Sequence, residues 1–148
     1  MDARRLRFGA GTFDVILCNN VLPFALYDRA ILAEIRRCLK PDGVAMVDVD
    51  VHGARTLSAV ALQRRDPDRY TAAYVQTNGS QRFYGRDYPT RLRRAGLVPL
   101  HFDPLEGLGR AFRHAHGLKA DARVYLAFRS PAAARAFRRT ARDVSGSS

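Results

Sequence analysis

Two adjacent amides and two nearby carboxylates have the clearest potential for chemistry in this sequence. Asn19 and Asn20 follow directly on the apolar run Phe13 to Cys18, and Asp48 and Asp50 stand near the end of a second apolar run. Amides and carboxylates supply hydrogen-bond donors and acceptors, which suit the mouth of a ligand pocket. A strand buried on both faces has no use for exposed amides at its end. We therefore expect Asn19 and Asn20 to mark the rim of a binding site.

The elements that position these groups follow from the spacing of apolar residues. The run Phe13 to Cys18 is typical of a strand buried on both faces of a parallel sheet. A helix is predicted to begin near Tyr27 or Asp28, and the KPDG sequence from Lys40 ends it. The apolar residues at helical spacing are Ile31, Ile35, Cys38 and Leu39. A second strand over Val44 to Val51 completes a βαβ unit with a parallel, right-handed crossover.

The remaining sequence continues the alternation of helices and strands. Helices are predicted over 54–65, 87–95, 108–116 and 131–142, and further strands begin at Leu97 and Ala122. The predicted fold class is α/β, with a Rossmann-like, doubly wound and mostly parallel sheet of about four strands and flanking helices. Residues 1–130 form one domain. Residues 131–148 are a basic helical tail that ends in disordered Ser and Gly residues.

Composition limits the functional classes. The chain has 148 residues, 47% of them hydrophobic, which is enough for one domain with a substantial core. No apolar run reaches the roughly 18 residues of a membrane span, and no secretory h-region follows the basic N-terminal segment. A cytosolic protein is therefore expected. Cys18 and Cys38 lie in different predicted elements without disulfide or zinc spacing, and the histidines show no metal-binding spacing.

The formal net charge of +11 could indicate a nucleic-acid partner. Nearly all of it is arginine, since Lys40 and Lys119 are the only lysines. The arginines are dispersed in pairs such as Arg36 and Arg37, rather than collected in one stripe with exposed aromatic residues. This pattern favours solvated arginine faces over a nucleic-acid interface. A basic nucleic-acid-binding module remains an alternative, and its affinity would fall steeply with salt.

Three segments, taken together, carry a resemblance to a known family. They read DARRLRFGAGTFDVILCNNVL from Asp2, ILAEIRRCLKPDG from Ile31 and RFYGRDYPTRLRRAGL from Arg82. In this order and spacing they resemble the later part of a class I S-adenosylmethionine-dependent methyltransferase of the broad small-molecule type. The likeness runs from Asp2 to Phe128, and YGRDY from Tyr84 is similar to a bacterial subgroup of the family.

The resemblance implies S-adenosylmethionine as cofactor and a small molecule as substrate. The cofactor-binding positions that it implies are Asp2, Ala3, Asn19 and Asn20. The substrate-pocket positions that it implies are Asp50, His52, Tyr84, Arg86 and Tyr88. In-line methyl transfer depends mainly on holding two reactants in position, so no catalytic residue is assigned. The residues alone leave alternatives open: Asp2 as a frayed chain start, and Tyr84 and Tyr88 as anchors in the core.

The sequence departs from the family in two respects. Asn20, Pro23 and Phe24 stand where members have His, Glu and His, so polar contacts made there are lost. The glycine-rich cofactor loop and the acidic residue for the ribose are absent from the chain, and EGLGRAF from Glu106 is a weak substitute. The resemblance therefore implies the C-terminal part of a methyltransferase domain. The alternative is a non-catalytic half-domain that needs a complementing chain, or a second copy, at the exposed edge of its sheet.

Overall fold

The computed structural model describes residues 2–76, 79–102, 109–116 and 124–145. The strands in these ranges are β1 (Phe13–Asn19), β2 (Leu39–Asp48), β3 (Val51–Gly53), β4 (Leu57–Ser58), β5 (Arg82–Gly85), β6 (Val98–Phe102) and β7 (Val124–Phe128). The α-helices are α1 (Asp28–Cys38), α2 (Ala59–Arg65), α3 (Pro67–Gln76), α4 (Tyr88–Arg94), α5 (Arg110–Ala115) and α6 (Pro131–Ser145). A short 3-10 helix, Leu22–Phe24, follows β1.

The main sheet has the strand order β1-β2-β7-β6. β1 and β2 are parallel with α1 between them in the chain, so the predicted parallel βαβ unit is confirmed. The α/β class is also confirmed. The expectation of a mostly parallel sheet is wrong for strand pairing, because β7 runs antiparallel to both β2 and β6. Alternation of helices and strands along a sequence does not fix which way a strand runs beside its neighbour.

β2 begins directly after α1, earlier than the sequence predicts, and contains the KPDG sequence. Phe13 pairs with Leu39 and Val15 with Val44, so the strand carries an irregularity between these two pairs. A Cβ atom on Gly43 would lie 3.0 Å from the carbonyl oxygens of Phe13 and Asp14, which explains a glycine at this close approach. The predicted strand over 44–51 is in fact divided, because β2 ends at Asp48 and the chain then enters β3.

Helices cover both faces of the main sheet. On one face, α1 and α4 pack on the strands through a buried cluster that includes Leu32, Leu92 and Val47. On the other, α6 packs on β2, β6 and β7, with Ala133 and Ala134 buried against Phe128. The layered, doubly wound arrangement therefore agrees with the sequence prediction. The last three residues, 146–148, which were predicted to be disordered, lie outside the described ranges.

A small second sheet has the order β3-β5-β4 and was not predicted. β3 and β5 are parallel, whereas β4 and β5 are antiparallel. α2 and α3 cover it: Ala59 and Leu62 of α2 and Tyr70 and Ala73 of α3 pack with Phe83 of β5 in one apolar cluster. The turn predicted at RRDPDRY is the boundary between α2 and α3, since Pro67 starts a new helix where a missing backbone N–H has no cost.

The outer edge of the main sheet is formed by β1. Within the described residues, this strand pairs only with β2. Val15 and Leu17 project from it with 58% and 68% of their surfaces exposed. Both alternate with Ile16 and Cys18, which face the main core, so the prediction that this strand is buried on both faces is wrong. β1 therefore combines an unpaired edge with an apolar face that α6 leaves uncovered.

Candidate functional site

The carboxyl ends of β1 and β2 lie side by side and form a polar rim. Asn19 pairs with Asp48 across the two parallel strands, and the Asn20 N–H donates to the Asp48 carbonyl at 3.2 Å. Asn20 has a φ of 51°, a left-handed conformation that asparagine tolerates better than most residues. The strand therefore turns sharply at this residue. Both amide side chains are exposed, as the sequence predicts for a rim.

Two carboxylates complete this rim. Asp48 is half-buried, and burial raises its pKa above the usual range for aspartate. The negative charge of Asp50 raises the pKa of Asp48 further, whereas a backbone hydrogen bond from Val49 lowers it. Asp50 itself is exposed. The rim thus contains two amides and two carboxylates that accept hydrogen bonds from a cationic or polar ligand.

The tyrosines predicted to line a substrate pocket lie beneath the rim, inside the core. Tyr84 is 1% exposed and Tyr88 is fully buried. Their rings meet edge to face with centroids 4.9 Å apart, and Tyr88 meets Tyr125 in the same way at 5.3 Å. Burial raises the pKa of both phenols, so both are neutral hydroxyls. This placement agrees with the alternative of core anchors, and a role in the pocket stays a prediction.

The thiol of Cys18 lies in the same core. Burial raises its pKa to about 11, so the group is a neutral thiol near pH 7. A nucleophilic role is not supported, which agrees with the interpretation of Cys18 as a small core residue.

The hydroxyl of Tyr88 is a buried polar atom for which the described residues provide no hydrogen-bond partner. Replacing Tyr88 with phenylalanine is expected to raise the free energy of unfolding by about 1 kcal/mol, because an unsatisfied buried hydroxyl is removed. Chemical denaturation measures the difference. Tyr84→Phe is the matched control and should lower stability, since the Tyr84 hydroxyl donates to Asp28 at 2.9 Å. A clear loss of stability in the Tyr88 variant would mean that a partner holds this hydroxyl.

Sequence reasoning missed a buried charge cluster around Asp28. This aspartate is 2% exposed and is the first residue of α1. Its carboxylate lies 3.0 Å from Arg82 Nη1 and 3.1 Å from Arg91 Nη1, and it also accepts the Tyr84 hydrogen bond. These contacts join α1, β5 and α4 inside the core. In the sequence, Asp28 looks only like an acidic residue at a helix start, so no local signal indicated its partners.

Asp2 lies in a separate turn close to the start of α1. Both of its carboxylate oxygens bind the Arg4 guanidinium, with Nη2 at 2.7 Å from Oδ2. The hydrogen bonds from Arg4 lower the pKa of Asp2 to about 2. The Arg4 guanidinium stacks over the Tyr27 ring, 5.4 Å from its centroid, and Ala3 packs on the main core. Asp2 is therefore paired with Arg4 on the surface, and its cofactor role stays a prediction.

The segment that follows Asp2 is tied to α1. The Leu6 N–H donates to Glu34 at 2.9 Å, and Arg37 donates to the carbonyls of Leu6 and Phe8. Glu34 and Arg37 also pair with each other at 2.8 Å. An open groove of about 960 Å³ lies along this segment. It is lined by Asp2, Arg5, Leu6 and Arg7.

The other predicted pocket residues lie on or beside the small sheet. His52 is in β3, and the structure describes its backbone but not its side chain. The backbone N–H of Arg86 donates to the Gly53 carbonyl at 2.8 Å, and the Arg86 side chain is exposed. The structure therefore gathers Asn19, Asn20 and Asp50 with Asp48 at the strand ends, and places Arg86 next to β3.

No group of three or more His, Cys, Asp and Glu side chains in the described ranges is placed to hold a metal ion. None of the helices described is both long enough and apolar enough to cross a membrane.

Fold and rim together define an α/β protein whose parallel strands β1 and β2 end at a polar rim. Residues 1–47 match a family described as "Methyltransferase domain". No curated protein sequence matches the chain. The resemblance that the sequence carries is therefore confirmed for this segment, and solved structures extend it to the fold.

Three solved structures illustrate the likeness in fold. The complex of the Haloferax volcanii Trm112 methyltransferase activator with a putative methyltransferase gives a TM-score of 0.56 at 14% identity, over 86% of this chain and 58% of that one. The Burkholderia thailandensis 1,6-didemethyltoxoflavin-N1-methyltransferase gives a TM-score of 0.55 at 18% identity, over 86% of this chain and 48% of that one. The Streptomyces coelicolor geranyl diphosphate C-methyltransferase gives a TM-score of 0.54 at 13% identity, over 88% of this chain and 52% of that one. The chain thus has the Rossmann-like fold of class I methyltransferases and spans about half the length of these neighbours.

Proposed function

We propose that this chain is the C-terminal part of a methyltransferase domain that transfers a methyl group from S-adenosylmethionine to a small molecule. The observation that carries the proposal is the rim, where the parallel strands β1 and β2 end together at Asn19 and Asp48. Ligands of doubly wound sheets bind at this end of the strands. Two neighbours with the same fold contain S-adenosylhomocysteine, which supports the choice of cofactor.

The rim residues suit the polar end of this cofactor. The amides of Asn19 and Asn20 donate to a carboxylate and accept from an ammonium group, and the Asp48 carboxyl accepts from the same ammonium. Asn20 is held in position by its backbone hydrogen bond to Asp48, so little conformational freedom is lost on binding. When bound, S-adenosylmethionine supplies a methyl group that its sulfonium makes electrophilic.

Asp2 suits the other end of the cofactor. Arg4 holds its carboxylate in one orientation and keeps it ionised. Each carboxylate oxygen has more than one lone pair, so the group still accepts a hydrogen bond from an adenine amino group. The contribution of the chain is to bind and orient, which is the main requirement of in-line methyl transfer.

The edge of β1 supports a complementing partner. Its backbone is unpaired on one side among the described residues, and Val15 and Leu17 expose apolar surface beside it. We infer that a further parallel strand, supplied by a complementing chain or a second copy, pairs with this edge. That strand would also bring a second wall to the rim at Asn19.

Calorimetric titration of the purified chain with S-adenosylhomocysteine tests the cofactor proposal. We expect saturable binding at ligand concentrations below about 1 mM. Asn20→Gly keeps the left-handed backbone but removes the amide, so affinity should fall roughly fivefold, the effect of one hydrogen bond. Thermal denaturation checks that the fold is retained.

Asp42→Asn is the control for this titration. Asp42 is exposed on β2, away from the rim, and its change should leave the affinity unaltered. If no heat is seen up to about 1 mM ligand, or if Asn20→Gly binds as well as the original chain, the proposed rim site is wrong.

A further inference from the structure

A second groove lies between the start of the small sheet and the junction of α2 and α3. Its volume is about 340 Å³, within the range of small-molecule sites. Leu57 and the buried Leu62 form an apolar floor. Charged side chains form the walls, and they are Arg55, Arg65, Asp66 and Arg69. The groove is thus apolar at its base and positively charged at its mouth.

Two of the wall arginines, Arg55 and Arg65, have no carboxylate partner among the described residues. Asp66 is the single acid among the lining residues, and its Oδ1 accepts a hydrogen bond from the Arg69 backbone N–H at 3.0 Å. No carboxylate of the described residues lies within ion-pair distance of Arg55 or Arg65. Guanidinium groups present paired donors that match the oxygens of phosphate and carboxylate groups. An anion with two or more oxygens fits this mouth.

Hydrogen bonds and a close backbone contact fix the wall that carries Arg55. The next residue, Thr56, donates its backbone N–H and its hydroxyl to Asp87 Oδ1, each at 2.7 Å. The Gly85 N–H donates to the Thr56 hydroxyl at 3.1 Å. Gly85 also lies so close to the Arg55 backbone that no side chain fits between them. This order before binding lowers the entropy cost of fixing a ligand.

A small cavity of about 20 Å³ continues below the groove and shares five of its lining residues. Phe83, Tyr84 and Ala73 close it at the bottom. Its walls are mainly apolar, and its size suits a methyl group or a single water molecule. Tyr84 also contacts Asp28 and Tyr88, which lie below the rim. Tyr84 therefore lies between this small cavity and the buried cluster around Asp28.

We propose that this groove binds a small anionic molecule, with its phosphate or carboxylate group at Arg55 and Arg65 and an apolar part over Leu57 and Leu62. This inference deepens the proposed function, on which it rests, by giving the class of methyl acceptor. The dispersed arginines of the sequence gave no sign of the site, because Arg55 and Arg65 come together only through the small sheet and the α2–α3 junction.

The experiment is a calorimetric titration of the full chain with pyrophosphate and, separately, with succinate. The double variant Arg55→Gln/Arg65→Gln removes two guanidinium groups from the mouth. The matched control, Arg64→Gln/Arg94→Gln, removes the same charge from exposed positions on α2 and α4 outside the groove. We expect the original chain and the control to bind at least one of the two anions, and the double variant to bind it roughly tenfold more weakly.

The two anions distinguish phosphate from carboxylate as the group recognised. Equal weakening of anion binding in both double variants would indicate a general charge effect and overturn the proposal. The proposal would also be overturned if the original chain bound neither pyrophosphate nor succinate at concentrations up to about 10 mM. A single-stranded oligonucleotide that binds more tightly than both anions, and loses binding in the same variant, would assign the groove to nucleic acid instead.

The outcome is independent of cofactor binding. S-adenosylhomocysteine should bind the double variant as it binds the original chain, because the rim residues are unchanged. If the chain binds an anion but not S-adenosylhomocysteine, the proposed methyl transfer is wrong and the groove remains an anion-binding site. If the chain binds S-adenosylhomocysteine but neither anion, only the proposed anion site in the groove is wrong.

Discussion

Replacing Asp28 with asparagine is expected to lower the free energy of unfolding by about 3 kcal/mol. The change leaves Arg82 and Arg91 without a counter-charge inside the core, where Asp28 is 2% exposed. It also weakens the hydrogen bond from the Tyr84 hydroxyl. This loss of unfolding free energy is at the low end for a broken buried ion pair, because the side chains of Arg82 and Arg91 are still 14% and 21% exposed to solvent. Urea denaturation followed by circular dichroism gives the measurement.

The control for Asp28 is Asp42→Asn, which changes an exposed carboxylate and should stay within about 0.5 kcal/mol of the original chain. The double variant Asp28→Asn/Arg91→Gln removes one of the two uncompensated charges. Its loss should be smaller than the sum of the two single losses, because the residues share one network. Strictly additive losses, or a change below about 1 kcal/mol for Asp28→Asn, would show that the cluster does not hold α1, β5 and α4 together.

The sequence predicts the part of the fold whose pattern is local. Apolar spacing places β1, α1 and β2 and makes the parallel unit the natural arrangement, since an intervening helix favours a parallel crossover. The prediction fails at β7, whose direction depends on pairing with β2 and β6, far apart along the chain. It also fails at β5, because four residues are too few to show a strand period.

The same division applies to the candidate site. Asn19 and Asn20 were predictable because two amides directly after an apolar run contradict the pattern around them. Asp28 was not, since its partner Tyr84 is 56 positions away and a helix-start aspartate needs no partner. The groove was also hidden, because Arg55 and Arg65 belong to a dispersed positive charge. Polar groups are thus predictable where they break a local pattern, and unpredictable where only the tertiary fold brings them together.

Replacing Gly85 with alanine is expected to cost about 3 kcal/mol of unfolding free energy. A Cβ atom there would lie 2.5 Å from the backbone nitrogen of Arg55 and 2.6 Å from its Cα. Neither atom belongs to a flexible side chain, so β5 and the loop before β4 must separate. That separation would stretch the hydrogen bond between Gly85 and Thr56 and disturb the groove wall at Arg55.

Gly9→Ala is the matched control for the Gly85 variant. A Cβ atom on Gly9 would meet only the Thr12 hydroxyl at 3.6 Å, an ordinary contact, so the change should stay within about 0.5 kcal/mol. Anion affinity should fall in the Gly85 variant and not in the control, even where both remain folded, since Gly85 packs against the backbone of Arg55 and Gly9 does not. If the Gly85→Ala chain is as stable as the control, the small sheet accommodates the added methyl group at little cost. The wall of the groove would then be too easily displaced to hold Arg55 in place before an anion binds.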